Sequence, residues 1–169
     1  MIQEQSTMQF HWLSPLGVSI MLFLLSGILH FLIGVLTPFL MDSEFGRKIL
    51  FISNRTDTEF FGTEPSLLLQ QNPEVDKMRK LLSGGVGGFL AAIGIFMIAV
   101  SWFGLRGQQP WALITLALCG IILVIGWYLT LDVYIRAGIR LTLADLPPVF
   151  WIPAVTLLPA IVLGWIGIK

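Results

Sequence analysis

Four long stretches of the chain carry no charged residue, and they define its predicted helices. The stretches without Asp, Glu, Lys or Arg are 5–41, 81–105, 107–131 and 146–168. About 20 apolar residues are enough for a helix to cross a hydrocarbon core about 30 Å thick. The pattern therefore predicts an all-α fold, an integral membrane four-helix bundle forming a single domain over residues 1–169. The predicted spans lie near 15–40, 81–104, 110–133 and 148–168.

The composition is typical of a membrane protein and excludes nucleic acid as a partner. Hydrophobic residues make up 56% of the 169 residues and charged residues 12%, whereas a soluble domain has about 25% charged residues. The net charge is zero, so no basic field attracts nucleic acid. The single cysteine, Cys119, allows neither a disulfide nor a cysteine-based metal site within one chain. No catalytic sequence motif is present, and we expect no catalytic site.

The distribution of positive charge predicts the orientation. Eight of the ten Lys and Arg residues lie in the segments 41–80 and 134–147, and only Arg106 and Lys169 lie outside them. The positive-inside rule places both segments in the cytoplasm and both termini on the other side. We therefore expect a long cytoplasmic loop between helices 1 and 2, in a bacterial inner membrane of the plasma or photosynthetic type.

Aromatic residues support this topology, because Trp and Tyr are enriched at both membrane–water boundaries. Those at the predicted outer boundary are Trp12, Trp102, Trp111 and Trp165. Those at the inner boundary are Trp127, Tyr128, Tyr134 and Trp151.

The long loop contains two local signals. The segment 45–53 (FGRKILFIS) mixes basic and apolar residues, as an interfacial helix does. Asn72-Pro73 predicts a helix start, with Asn72 as the cap and Pro73 in the first turn. The second long helix is thus expected to begin about two turns before the membrane.

Small residues recur along this second helix. Gly84, Gly88 and Ala92 are spaced by four, and so are Gly87 and Ala91. Such spacing lets helix backbones approach closely within a membrane. Two alternatives stay open: packing within the chain's own bundle, or docking against another subunit.

His30 is the one histidine predicted to lie deep in a span. Ser26, Gly27 and Gly34 leave the helix surface around it nearly bare, and ionisable residues within a membrane are candidates for function. One interpretation is a neutral histidine hydrogen-bonded to a neighbouring helix. The other is an axial ligand of haem or (bacterio)chlorophyll, because the spacing of Ser26, His30 and Gly34 resembles the ligand sites of bacterial light-harvesting helices.

A charged stripe is predicted after the third span. Asp132, Arg136 and Arg140 are spaced by four, and the Asp-to-Arg order favours an ion pair. Anchoring at the membrane boundary is one role for it. Arg136 and Arg140 are otherwise expected to contact an anionic lipid headgroup or a partner's acidic loop.

The overall plan resembles the DoxX-like and EXPERA-type small four-helix membrane proteins. The resembling residues are a charged segment, 72–80 (NPEVDKMRK), followed by a glycine-rich span, 81–94 (LLSGGVGGFLAAIG). The resemblance implies association with oxidase or quinone-linked complexes, or sterol isomerisation and lipid binding. The acidic residues that isomerase-type spans require are missing here.

The expected function is that of a non-catalytic accessory subunit of a larger bacterial membrane complex, a bioenergetic one of the photosynthetic or respiratory electron-transport type. Other membrane subunits and lipids are its expected partners. The alternative is a DoxX-like module that binds a quinone, a lipid or a tetrapyrrole near His30.

Overall fold

Four long helices form the body of the molecule, and each begins with a proline. The structure, a computed structural model, describes residues 11–169, and no strand occurs among them. The long helices are α1 (Pro15–Met41), α5 (Pro73–Ala99), α6 (Pro110–Arg136) and α7 (Pro148–Ile168). A π-helical segment, Val100–Leu105, extends α5. Proline suits the first helical turn because its missing N–H has no partner there anyway.

Three short helices fill the segment between α1 and α5. They are α2 (Glu44–Arg47), α3 (Asn54–Phe61) and α4 (Pro65–Gln71), and a 3₁₀ turn, Leu143–Asp145, precedes α7. The four long helices, with α5 counted through Leu105, are each long and apolar enough to cross a membrane. The predicted all-helical fold with four such helices is therefore confirmed.

Helix α1 has the most extensive packing of the four long helices, along α5 and along α7. Helix α6 packs against α7 and against the π segment. The main core joins Ile20 and Phe23 of α1 to Met97 of α5, Leu116 of α6 and Ala160 of α7. We call the end of the bundle that carries 42–72 and 137–147 the loop end. The opposite end, with Trp12, Trp102, Trp111 and Trp165, is the tryptophan end.

Three local predictions are corrected at the loop end. The segment 45–53 is not one interfacial helix: α2 stops at Arg47, and Leu50 and Ile52 are buried. Pro73 does begin α5, but the Asn72 side chain does not cap it, because its amide donates to Leu68 O at 3.0 Å and so ends α4.

The third correction concerns the charged stripe after the third span. Helix α6 ends at Arg136, and Gly138 takes a φ of 83°, a left-handed conformation that glycine adopts without strain. Arg140 therefore leaves the helix, and the stripe of three residues does not form.

Candidate functional site

His30 is fully buried in the middle of α1 and bonds to its own helix. Its Nδ1 lies 2.7 Å from the carbonyl oxygen of Ser26, one turn earlier. A carbonyl only accepts, so Nδ1 carries a proton, and in the neutral imidazole Nε2 then keeps a lone pair. Nε2 is buried and has no hydrogen-bond partner within residues 11–169. The predicted bond to a neighbouring helix is therefore replaced by one within α1.

The bare surface around His30 is covered by α5. A Cβ added at Gly34 would lie 2.5 Å from Gly87 O, and one added at Gly27 would lie 3.1 Å from Gly94 O. The glycines match in antiparallel order, because Gly27 faces Gly94 and Gly34 faces Gly87. The close backbone approach that small residues permit thus joins two helices of this chain.

A tetrapyrrole does not fit at His30 in this arrangement. The flat surface that such a ring needs is in backbone contact with α5. The internal void beside Ser26 measures about 10 Å³, room for about one water molecule. A haem or (bacterio)chlorophyll ligated by His30 would require α5 to separate from α1, and such a cofactor stays a prediction.

The small residues of α5 fall on two different faces. Gly87 and Gly94 face α1, where an added Cβ would lie 2.7 Å from Gly34 O and 2.6 Å from Gly27 O respectively, and the backbone of Ala91 lies against Gly34. A Cβ added at Gly84 or Gly88 would meet no heavy atom within 4 Å in the part of the chain that the structure describes. The helix therefore has one glycine face in use within the chain and a second, around Gly84 and Gly88, that is open.

Ala92 continues this open face and is exposed. We call Gly84, Gly88 and Ala92 together the open stripe. Large exposed apolar residues flank it, among them Leu81 (78% exposed) and Phe89 (74%).

A buried arginine fixes the loop-end half of α5 to α1 and α2. The Arg79 side chain is 4% exposed and lies 3.0 Å from Asp76 in an ion pair. Its guanidinium also donates to Met41 O at 2.9 Å and to Gly46 O at 3.0 Å. Because α1 ends at Met41, this arginine satisfies a terminal carbonyl that the helix leaves without a partner.

A second buried charge organises the segment between α1 and α5. Asp57 is fully buried, and its carboxylate accepts from Leu50 N at 2.7 Å and Phe51 N at 3.0 Å. Its other oxygen accepts from the Tyr134 hydroxyl of α6 at 2.7 Å. Three donors, two of them backbone, hold the carboxylate, which is how a buried charge is tolerated.

An ion pair joins the two loops of the loop end. Arg55 donates from Nε to Asp145 Oδ1 at 2.9 Å and from Nη2 to Oδ2 at 2.6 Å. Arg55 also donates to Arg140 O at 2.6 Å, and Thr142 donates to Asp145 through N and Oγ1. The bidentate guanidinium, followed by the Thr142 donors, holds the pKa of Asp145 well below its usual range.

Arg136 and Arg140 lie near one another in sequence but have different surroundings. Arg136 pairs with Asp132 at 2.6 Å, with 81% of its side chain exposed. Arg140 is exposed, and its backbone carbonyl is held by Arg55. Both are on the surface of the loop end, and their contact with a lipid or partner stays a prediction.

The sequence interpretation missed Arg55, Asp57, Arg79 and Asp145 as organising residues. Within residues 11–169, no group of three or more His, Cys, Asp or Glu is arranged to hold a metal. Comparisons with family models, with curated proteins and with solved structures find no match. The resemblance to DoxX-like and EXPERA-type proteins therefore stays a prediction.

Proposed function

We propose that this chain is a multi-pass membrane subunit without a catalytic role, and that it docks another membrane protein through the open stripe. The observation that carries the proposal is the contrast between the two faces of α5. One glycine face brings α1 to backbone contact, whereas a Cβ at Gly84 or Gly88 would meet nothing described within 4 Å. In lipid, stripes of small residues associate helices through close packing.

The orientation in the membrane is part of the proposal. The ion pair of Arg55 with Asp145 joins the two Lys- and Arg-rich segments at one end of the bundle. This agrees with the positive-inside rule, which assigns both segments to the same side of the membrane. We assign the loop end to the cytoplasm and the tryptophan end to the opposite side. The membrane itself is expected to be a bacterial inner membrane.

The chemistry of the loop end supports a structural role. Its two buried carboxylates, Asp57 and Asp145, are already engaged by several donors each. A general base needs a lone pair within reach of a substrate, and these carboxylates use theirs to connect the loops. The proposed partner is a subunit of a photosynthetic or respiratory complex, the class of complex predicted from the sequence.

The test uses two leucine substitutions at open glycines. Gly88→Leu fills the open stripe, and Gly126→Leu adds the same side chain on α6, where no described atom lies within 4 Å of the added Cβ. Each tagged variant is extracted from native membranes in mild detergent, and the mass of its complexes is measured. We expect wild type and Gly126→Leu to retain the same partner and Gly88→Leu to lose it, with all three chains folded.

Several results would overturn the proposal. A wild-type chain that migrates alone has no partner to dock. Retention of the partner by Gly88→Leu would show that the open stripe is not the contact. A complex containing only copies of this chain would make the stripe a homodimer contact and remove the accessory role.

A further inference from the structure

Three exposed phenylalanines lie at the loop end, close in the chain to two exposed cations. Phe45 is 67% exposed, Phe51 60% and Phe61 39%, and we call these three side chains the aromatic rim. Arg47 and Lys48 lie between the first two and are exposed. The side chains of both cations form no ion pair or hydrogen bond with another residue of 11–169.

Arg79 places α2 at the level where α5 enters its apolar stretch. Its guanidinium donates to Gly46 O of α2 at 3.0 Å and to Met41 O at the end of α1 at 2.9 Å. The charge-free stretch of α5 begins at Leu81, two residues after Arg79, and two residues rise about 3 Å along a helix. Phe45, the neighbour of Gly46, therefore lies at the membrane boundary.

A chain of aromatic rings places the rest of the rim at the corresponding level of α6. The rings of Phe51 and Phe61 stack with their centres 6.4 Å apart. Phe60 lies between Phe61 and Tyr134 of α6, with ring centres at 4.9 Å and 4.8 Å respectively. Tyr134 follows three residues after the charge-free stretch 107–131. Both exposed rings are therefore also at the membrane boundary.

The backbone beneath the rim is fixed. Asp57 accepts hydrogen bonds from Leu50 N and Phe51 N, so the ring of Phe51 is held at the surface by the fold. Exposed apolar groups that are rimmed by polar ones mark contact surfaces. At the level of the headgroups the bilayer itself covers such a surface, and aromatic rings beside basic residues are the combination that binds there.

The local charge selects the kind of lipid. Glu44 is the one exposed carboxylate of α2, and the nearby Asp42 pairs with Lys80 at 2.7 Å. With Arg47 and Lys48 opposing Glu44, the net charge beside Phe45 is +1. A positive surface at this level attracts anionic headgroups.

We infer that the aromatic rim lies in the headgroup layer of the leaflet at the loop end, and that Arg47 and Lys48 bind anionic lipid headgroups there. The inference rests on the proposed membrane location but not on the proposed partner. The contact is made by exposed side chains of a folded segment and not by an amphipathic helix, because Leu50 and Ile52 are buried.

Quenching of introduced tryptophans by brominated lipids tests the contact. The whole protein is reconstituted in phosphatidylcholine vesicles whose chains are brominated either near the glycerol or near the methyl end. Phe45→Trp and Phe51→Trp carry the reporters, and each signal is the difference from wild type. Val75→Trp is the matched reference, because Val75 is 38% exposed and lies four residues before Arg79, about 6 Å further from the membrane.

We expect both rim reporters to be quenched more strongly by the bromines near the glycerol than by those near the methyl end. The reference at position 75 should be quenched weakly by either. Two reporters at separate positions keep the test decisive if one of the substitutions impairs folding.

A second series measures the preference for anionic lipid. It compares phosphatidylglycerol with phosphatidylcholine, both brominated near the glycerol and added at increasing fractions. For Phe45→Trp we expect half-maximal quenching at an about fivefold lower fraction of the anionic lipid, the effect of one net positive charge at a membrane surface. Arg47→Gln or Lys48→Gln should bring this ratio to about one, and Glu44→Gln should raise it about fivefold further.

Lys77→Gln is the matched control for the cations. Lys77 is an exposed cation of the same end that is paired with Glu74 at 3.0 Å, and its replacement should leave the anionic preference unchanged.

Three results would overturn the inference. Rim reporters quenched no more than the reference at position 75 would exclude the membrane contact and leave the proposed docking function standing. An anionic preference that survives both Arg47→Gln and Lys48→Gln would exclude the role of these cations. Absence of quenching of the native tryptophans in wild type would show that the chain is not in the bilayer, and both proposals would then fail.

Discussion

Replacing Gly94 with alanine places one methyl group at the closest approach of α1 and α5. Its Cβ would lie 2.5 Å from Phe31 N and 2.6 Å from Gly27 O, both backbone atoms. Gly88→Ala adds the same methyl group to the same helix, where no described atom lies within 4 Å. The two variants therefore share the gain in helix propensity and differ in what the methyl group meets.

The expected difference follows from these distances. Ordinary contact begins at 3.4 Å and the closest atom would lie at 2.5 Å, so the two backbones must separate by about 0.9 Å, an overpacking that costs about 1–3 kcal/mol. The gain of about 1 kcal/mol for alanine over glycine in a helix applies to both variants and cancels between them. Gly94→Ala is therefore expected to be less stable than Gly88→Ala by about 2 kcal/mol, or about 6 °C in melting temperature for a chain of this size.

The measurement is thermal unfolding of the two purified variants in one mild detergent, followed by tryptophan fluorescence. Gly87→Ala serves as a second inward-facing substitution, because its Cβ would lie 2.7 Å from Gly34 O. Equal melting temperatures for Gly94→Ala and Gly88→Ala would refute the backbone contact between α1 and α5. A lower melting temperature for Gly88→Ala would mean that the assignment of the two faces is reversed.

Three further substitutions test the polar contacts. Tyr134→Phe removes the hydroxyl that donates to buried Asp57 and should lower the free energy of unfolding by about 1.5–3 kcal/mol; wild-type stability in this variant would exclude that bond. The folded-state pKa of Asp145 lies below its unfolded value because of Arg55, so its stabilisation is present above the unfolded pKa and is lost as pH falls from about 5. Between pH 7 and pH 3 the melting temperature of Asp145→Asn should therefore fall by less than that of wild type. Equal falls in the two proteins would contradict this linkage. His30→Leu replaces a side chain whose Nε2 is unpartnered among the described residues and should melt no lower than wild type, whereas a lower melting temperature together with a lost visible absorbance band would establish a cofactor at His30.

The long helices were predictable because their signals are local. Absence of charge over more than 20 residues marks each one, and a proline in the first turn marks where it begins. The glycine contact was also recoverable: Gly27 and Gly34 are seven apart, as are Gly87 and Gly94. Seven residues turn a helix through about 700°, within about 20° of two full turns, so each pair stays on one face.

The loop end was not predictable in the same way. Asp57 and Tyr134 are 77 residues apart, and Arg55 and Asp145 are 90 apart. Nothing in the local pattern around Asp57 distinguishes a buried carboxylate from a solvated one. Its burial depends on Leu50 and other apolar residues, and tertiary packing sets their positions. This packing overrides the amphipathic pattern of segment 45–53, which had predicted an interfacial helix.

The open stripe lies on a helix, α5, that the rest of the chain holds firmly in place. Arg79 fixes the loop-end half of the helix to the end of α1, and Gly87 and Gly94 fix its middle by backbone contact. A helix secured in both places presents its outward face in one orientation, and little further ordering is needed when a partner binds. Because ordering costs subtract directly from affinity, such a face suits the docking of a second membrane helix. Since Gly84, Gly88 and Ala92 are spaced strictly by four and drift about 80° around the helix over eight residues, that partner is expected to cross α5 at an angle, as helices joined by small residues at this spacing do.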